Sequence, residues 1–157
     1  MTNPPLVERT FVMLKPDAVQ RSVSGDLIAR FEKAGLKIVA MKMVWVDKKF
    51  SREHYAEHIQ KPFYGELEAL ITEGPVIAIV LEGRGSIGVC RKMVGATRPE
   101  EALPGTIRGD YAHSLGDGRN LIHASANSSD AKKEIKLWFS DKEIHSYKRA
   151  DERHVIG

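Results

Sequence analysis

The sequence predicts a layered domain of helices on a sheet, from three observations. Apolar runs rich in β-branched residues alternate with segments of helical spacing. The 157 residues suffice for one domain, 1–157, with a full hydrophobic core. A composition 42% hydrophobic and 29% charged is that of an ordinary soluble globular protein. Alternation alone suggests a parallel sheet.

Thr10-Phe11-Val12-Met13-Leu14 is the first strand. Lys15-Pro16-Asp17 stops it, because proline cannot continue a sheet ladder. Lys15 is left at the strand's C-terminal edge, where ligands bind in open α/β layers. Gly25-Asp26 opens a helix in which Leu27, Ile28, Phe31 and Ala34 recur at helical spacing, and Gly35 ends it. Residues 36–46 are extended and β-branched, with Lys42 interrupting the alternation, so a bend or an edge position is expected. Ser51 is read as the N-cap of a helix running to about Ile59. Lys61-Pro62-Phe63-Tyr64-Gly65 breaks it, and a second helix follows with Leu67, Leu70 and Ile71 on one face, closed by Gly74-Pro75. Tyr55 and Phe63 are exposable aromatics on this hairpin, serving either as core or as a stacking surface for a nucleobase.

Residues 76–81 are apolar on both faces and predict a central strand. Residues 86–94 form a helix closed by Gly95. Residues 96–119 have little periodicity and carry Pro99, Pro104, Gly105, Gly109, Gly116 and Gly118, together with Arg98, Arg108 and Arg119. So long a structureless stretch inside a compact domain is usually functional. Asn120-Leu121-Ile122-His123-Ala124-Ser125 reads as a short apolar strand ending in a histidine. Asn127, Ser128 and Ser129 offer N-caps to a helix with Ala131, Ile135, Trp138 and Phe139 on one face and Glu134 beside it. A last short helix is expected over 141–145, and the charged tail from Tyr147 would fray or dock on a neighbour.

Composition excludes several classes. The net charge of +3 and pI of about 9.0 suit anionic small molecules and are too weak to argue for nucleic acid. Cys90 is the only cysteine, which rules out an intrachain disulfide and a cysteine-rich zinc site. The first nine residues contain two prolines and no apolar core of a secretory signal, and the run 76–81 is too short to span a bilayer. A cytoplasmic protein with no membrane partner is expected. Gly83-Arg84-Gly85-Ser86-Ile87-Gly88 matches the dinucleotide fingerprint G-x-G-x-x-G, but the second strand and its acidic residue are missing downstream. Cys90-Arg91 lacks the phosphate loop of a cysteine phosphatase, since Ala96 stands where the arginine belongs. No G-x-x-x-x-G-K-[ST] loop is present.

Histidine can act as a neutral nucleophile near pH 7. A single histidine at a strand end is ordinarily a polar surface residue. His123 gains weight because Lys15, Arg91, Arg108 and Arg119 also sit at or near element ends. One nucleophile with several fixed cations suggests phosphoryl transfer.

From residue 9 to residue 139 the chain resembles the nucleoside diphosphate kinase family. The resemblance is carried by Lys15-Pro16-Asp17, Lys61-Pro62-Phe63-Tyr64, Gly74-Pro75-Val76, Pro104-Gly105-Thr106-Ile107-Arg108-Gly109-Asp110, the His123 segment, and Glu134-Ile135 with Leu137-Trp138-Phe139. It implies an α+β, ferredoxin-like fold, a four-stranded antiparallel sheet flanked by helices. It implies that His123 takes the γ-phosphoryl group from a nucleoside triphosphate such as ATP and passes it to a diphosphate such as GDP, in a ping-pong cycle. Glu134 would hold one ring nitrogen while Nδ1 attacks. Lys15, Arg91, Thr97, Arg108 and Asn120 would surround phosphates and sugar, Phe63 would stack on the base, and Tyr55 would orient the histidine region. Mg²⁺ would arrive on the nucleotide, with no direct protein ligand. Family assemblies are hexamers or tetramers, and the long tail suits the hexamer. Nucleic acid is not required.

The chain departs from the family at Ala126, where aspartate is usual, at Ala124, which replaces a common glycine, and in a segment between Asp110 and Asn120 about two residues longer than usual. The competing readings are a ferredoxin-like nucleic-acid-binding module, whose RNP1 pattern is missing, and a regulatory protein that keeps the fold without transfer.

Overall fold

Four strands form one sheet: β1 (Val7–Leu14), β2 (Lys37–Val44), β3 (Val76–Arg84) and β4 (Ile122–Ala124). They lie in the order β2-β3-β1-β4, and every neighbouring pair is antiparallel. The computed structural model describes residues 6–113 and 118–156. The parallel sheet suggested by alternation does not form. β1 and β2 do run in the same direction, as do β3 and β4, but each such pair has an antiparallel strand between its members. The ferredoxin-like sheet implied by the resemblance is the one observed.

Helices cover both faces: α1 (Pro16–Gln20), α2 (Ser24–Lys33), α3 (Lys48–His54), α4 (Tyr64–Thr72), α5 (Ser86–Val94), α6 (Ile107–Tyr111), α7 (Ser128–Trp138) and α8 (Glu152–Val155). Period-two alternation in β1 divides the interior. Val12 and Leu14 join one core with Leu27 and Phe31 of α2 and Cys90 and Val94 of α5. Phe11 and Met13 join the other with Tyr64 and Ile71 of α4 and Trp138 of α7. Burial on both faces is why β1 reads as a continuous apolar run.

The outer strand β2 is bulged between Ile38 and Ala40, so both the bend and the edge position occur. Ser51 is not an N-cap. The helix starts earlier because Asp47 Oδ1 accepts from the Phe50 amide at 2.7 Å, leaving Ser51 buried within α3. A carboxylate four residues upstream of Ser51 competed better for the orphan amides. Asn127 does cap α7, accepting from the Asp130 amide at 2.9 Å. The expected helix over 141–145 is a single 3-10 turn, Asp141–Glu143.

Three further expectations change. The stretch 96–119 is not structureless: a 3-10 turn spans Pro99–Glu101, and α6 is capped by Thr106, which accepts from the Gly109 amide at 3.0 Å. Part of the lengthened segment, with Gly116, lies outside the described residues. His123 is the middle residue of β4, not its end. Through residue 156 the tail docks on its own chain rather than fraying. Arg149 donates to the carbonyls of Leu36 and Gly35 at 3.1 and 2.9 Å, and Glu152 pairs with the buried Lys37 at 3.1 Å. The fingerprint-like glycines hold no nucleotide loop: Glu8 accepts from the Ile87 amide at 3.2 Å, so the start of α5 is occupied by the chain's own carboxylate. Among the described residues no helix is long and apolar enough to cross a membrane.

Gly109 links fold to site. A Cβ here would lie 2.0 Å from the Leu103 carbonyl oxygen and 2.9 Å from Thr106 Oγ1. Gly109→Ala is expected to push α6, and Arg108 with it, off the sheet, costing about 1–3 kcal/mol as an overpacked site does. Urea unfolding of the variant against wild type measures this.

Candidate active site

A cleft of about 640 Å³ opens where β4, α3, α5 and the start of α7 meet the segment 96–119. Its lining includes Lys15, Tyr55, Phe63, Arg91, Thr97, Arg108, Asn120, His123 and Glu134. The structure therefore brings together all nine residues that the family resemblance placed at the site, from elements more than 100 residues apart.

His123 is delivered by β4, paired opposite Met13 of β1. Glu134 comes from the second turn of α7, and its Oε2 bonds His123 Nε2. The carboxylate thereby fixes the imidazole's tautomer and ring angle. Glu134 Oε1 is buried without a hydrogen-bond partner among the described residues.

Two cations are buried beside this pair. Lys15 stands between β1 and α1 and is 7% exposed; its Nζ donates to Asn120 Oδ1 at 2.6 Å. Arg108 is 5% exposed and donates to three backbone carbonyls: Gly95 and Asn120 at 3.1 Å each, and Ile122 at 2.5 Å. Two of its five N–H groups remain for a ligand. Asn120 Nδ2 donates to the Thr97 carbonyl at 2.9 Å, so this amide ties Lys15 to the 96–119 segment. Burial, and next the Arg108 charge, lower the Lys15 amine to about 8, while Asp17 opposes this. Burial and then Arg91 lower Arg108 to about 10. A pair of unwilling buried cations is a site for an anion.

Not every candidate behaves as expected. Arg119 turns to Glu73, Nη2 to Oε2 at 2.9 Å, and Arg98 to Glu100, so neither is among the residues lining the cleft. Tyr55 is buried rather than exposable, because it closes α3 against the core; burial, then the Glu134 charge, pushes its phenol above the ordinary range. Phe63 is 45% exposed, with its ring 5.9 Å from that of His58. Ala126 lines the cleft where the family's aspartate would stand, and Asn127 supplies the helix cap.

Sequence reasoning missed His54, His58 and Asp17. His54 meets His123 edge to face at 5.1 Å and accepts at Nδ1 from the Trp138 indole at 3.1 Å. Burial, then the His123 charge, lowers it to about 3, so it stays neutral. The signal was a second and third histidine flanking Tyr55, at 54 and 58. Asp17 Oδ2 accepts from the Leu121 amide at 3.0 Å.

Among the described residues, one group of potential metal ligands was found: His54, His123 and Glu134, with ligand atoms within 4.8 Å of one another. This nitrogen-rich set does not fit Mg²⁺, which takes oxygen ligands.

The family model for nucleoside diphosphate kinase matches residues 8–144. A nucleoside diphosphate kinase of Archaeoglobus fulgidus is 55% identical over 146 residues, covering 93% of this chain and 95% of that one. One of Staphylococcus epidermidis is 51% identical, covering 93% and 97%. The Halobacterium salinarum enzyme in complex with CDP superposes with a TM-score of 0.92 at 45% identity, over 97% of this chain and 100% of that chain. The Borrelia burgdorferi enzyme, a transition-state mimic with vanadate and ADP, gives 0.90 at 44%, over 96% and 97%.

The buried cations make a direct prediction. Pyrophosphate is expected to raise the thermal midpoint at pH 7, because it binds the folded chain alone. Lys15 is cationic below about 8 and neutral above it, so the rise should shrink at pH 9. Differential scanning fluorimetry at both pH values, with Lys15→Gln as control, measures it.

Proposed function

The chain belongs to the nucleoside diphosphate kinase family, and from that premise we propose that His123 carries the phosphoryl group between nucleotides. The activity is that of the family: a phosphotransferase that moves the γ-phosphoryl group from a nucleoside triphosphate to a nucleoside diphosphate. The observation that carries our reading is the His123–Glu134 pair at a cleft that also holds Lys15, Arg91 and Arg108. We read the whole chain, 1–157, as one domain of this family.

With Nε2 engaged by Glu134, Nδ1 is the nitrogen that attacks the γ-phosphorus of ATP. The bond to the bridging oxygen breaks, and the diphosphate leaves. The ring becomes cationic as the P–N bond forms, and the Glu134 carboxylate stabilises that charge. Lys15, Arg91 and Arg108 neutralise the equatorial oxygens, the arginines with planar donor forks. A different diphosphate, such as GDP, then takes the group by the reverse steps. Asn120 and Lys15 address the ribose hydroxyls, and Thr97 a phosphate. Phe63 stacks on the base, an interaction tolerant of base identity. Tyr55 acts on the histidine through His54, whose ring lies 4.6 Å from its own.

Mg²⁺ enters with the substrate, as the nucleotide complex. No carboxylate cage answers it in the described residues, where Glu134 serves His123 and Asp130 serves the α7 cap. A reducing, cytoplasmic setting suits the lone buried thiol of Cys90.

We also propose a homo-oligomer, a hexamer or alternatively a tetramer. The outer strand β2 exposes Met41 and Met43 by 53% and 60%, and Trp45 just beyond it by 68%. An apolar edge strand of this kind favours a covering partner.

Two outcomes are expected. Incubation with γ-labelled ATP and Mg²⁺ yields an acid-labile, alkali-stable phosphoprotein that loses its label to GDP, with none in His123→Ala. Absence of label in the wild type would leave a fold without transfer. Sedimentation velocity finds an assembly of four or six chains, by family analogy, which the double change Met41→Lys with Met43→Lys reduces to smaller species.

A further inference from the structure

Leu121 has φ of +69°, in the left-handed region that a leucine rarely enters. The Ile122 amide donates to the Asn120 carbonyl at 2.9 Å, closing a three-residue turn around it. The turn changes which way side chains go. In a regular strand, neighbours point to opposite faces. Here Leu121 and Ile122, adjacent in sequence, enter the same core, and Asn120 and His123 both line the cleft.

So strained a turn persists only when its surroundings over-determine it. The Lys15 amide donates to the Leu121 carbonyl at 2.8 Å, and Arg108 holds the carbonyls of Asn120 and Ile122. The Leu121 amide itself is taken by Asp17, a carboxylate only 5% exposed, whose other oxygen is buried without a hydrogen-bond partner among the described residues. Burying a carboxylate is costly unless neighbouring charge compensates it. Asp17 has that compensation in Lys15 and Arg108, and it raises both of their pKa values against the effect of burial.

We propose that Asp17 is a positioning residue of the transfer site: its carboxylate holds the Leu121 turn that brings Asn120 and His123 into the cleft, and supplies counter-charge to Lys15 and Arg108. This rests on the reading of His123 as the nucleophile. Among the described residues, the charged and titratable groups that act on or feel Lys15 are Asp17 on α1, Arg108 on α6 and His54 on α3. Asp17 is the acidic member of that set, so its loss lowers the pH at which Lys15 gives up its proton.

Asp17→Asn keeps the shape and an acceptor while removing the charge. In a single turnover with γ-labelled ATP, its rate of His123 phosphorylation is expected to fall about tenfold to a hundredfold, the scale of a small misplacement of reacting groups. The alkaline limb of kcat/KM is expected at lower pH in the variant than in the wild type, a change that a purely structural role would not produce. Circular dichroism and thermal melting certify that the variant is folded; if it is not, Asp17→Ser is measured in its place. Wild-type rate and an unshifted limb in the folded variant overturn this inference alone. Absence of label on the wild-type chain overturns the reading of His123 itself.

Discussion

The site depends on keeping two cations, Lys15 and Arg108, out of water. A charge in an apolar interior is costly unless polar groups surround it. The protein meets that cost with backbone. Gly95, Asn120 and Ile122 turn carbonyl oxygens to Arg108, and Asn120 turns its side-chain oxygen to Lys15. These partners belong to β4, to the turn that leads into it, and to the joint between α5 and the long loop. Holding the cations and holding the histidine strand are therefore one task. Asp17 is one carboxylate against two cations, so the arrangement keeps a net positive charge for an anion to answer.

The same economy explains the neutral groups around His123. His54 stays uncharged because it is buried among other positive groups, and the Trp138 indole occupies its Nδ1. Glu134 is thus left to answer one imidazole. On the proposed reading, phosphorylation changes the charge of the His123 ring, and a single dedicated carboxylate is the simplest response.

Much of the fold was legible because burial writes itself into local periodicity. The apolar run of β3, the helical face of Ala131, Ile135 and Trp138, and the glycines after α2 and α5 all lie where the sequence indicated. What failed did so through competition between neighbours. Ser51 is a good capping residue, but Asp47 reached the free amides first. The loop 96–119 concealed α6 because five residues are too few to display a period. Alternating strands and helices suggested a parallel sheet because alternation reports connection, not adjacency; here each crossover spans a strand that belongs to the other crossover.

By itself the sequence determined the order of the four strands and the longer helices, the two-sided burial of the strand over 76–81, the lack of any cysteine partner for Cys90, and, through resemblance, the residues gathered at the cleft. Only the tertiary structure decided which amide Asp17 holds, that Leu121 carries a left-handed turn, that Tyr55 is buried behind His54, and that Arg119 leaves for Glu73. The reason is physical. Propensity and periodicity are properties of a few consecutive residues, whereas a buried charge takes its partners from wherever the chain returns. Asp17 and Leu121 are 104 residues apart in the chain, and they meet only once β1 and β4 have paired.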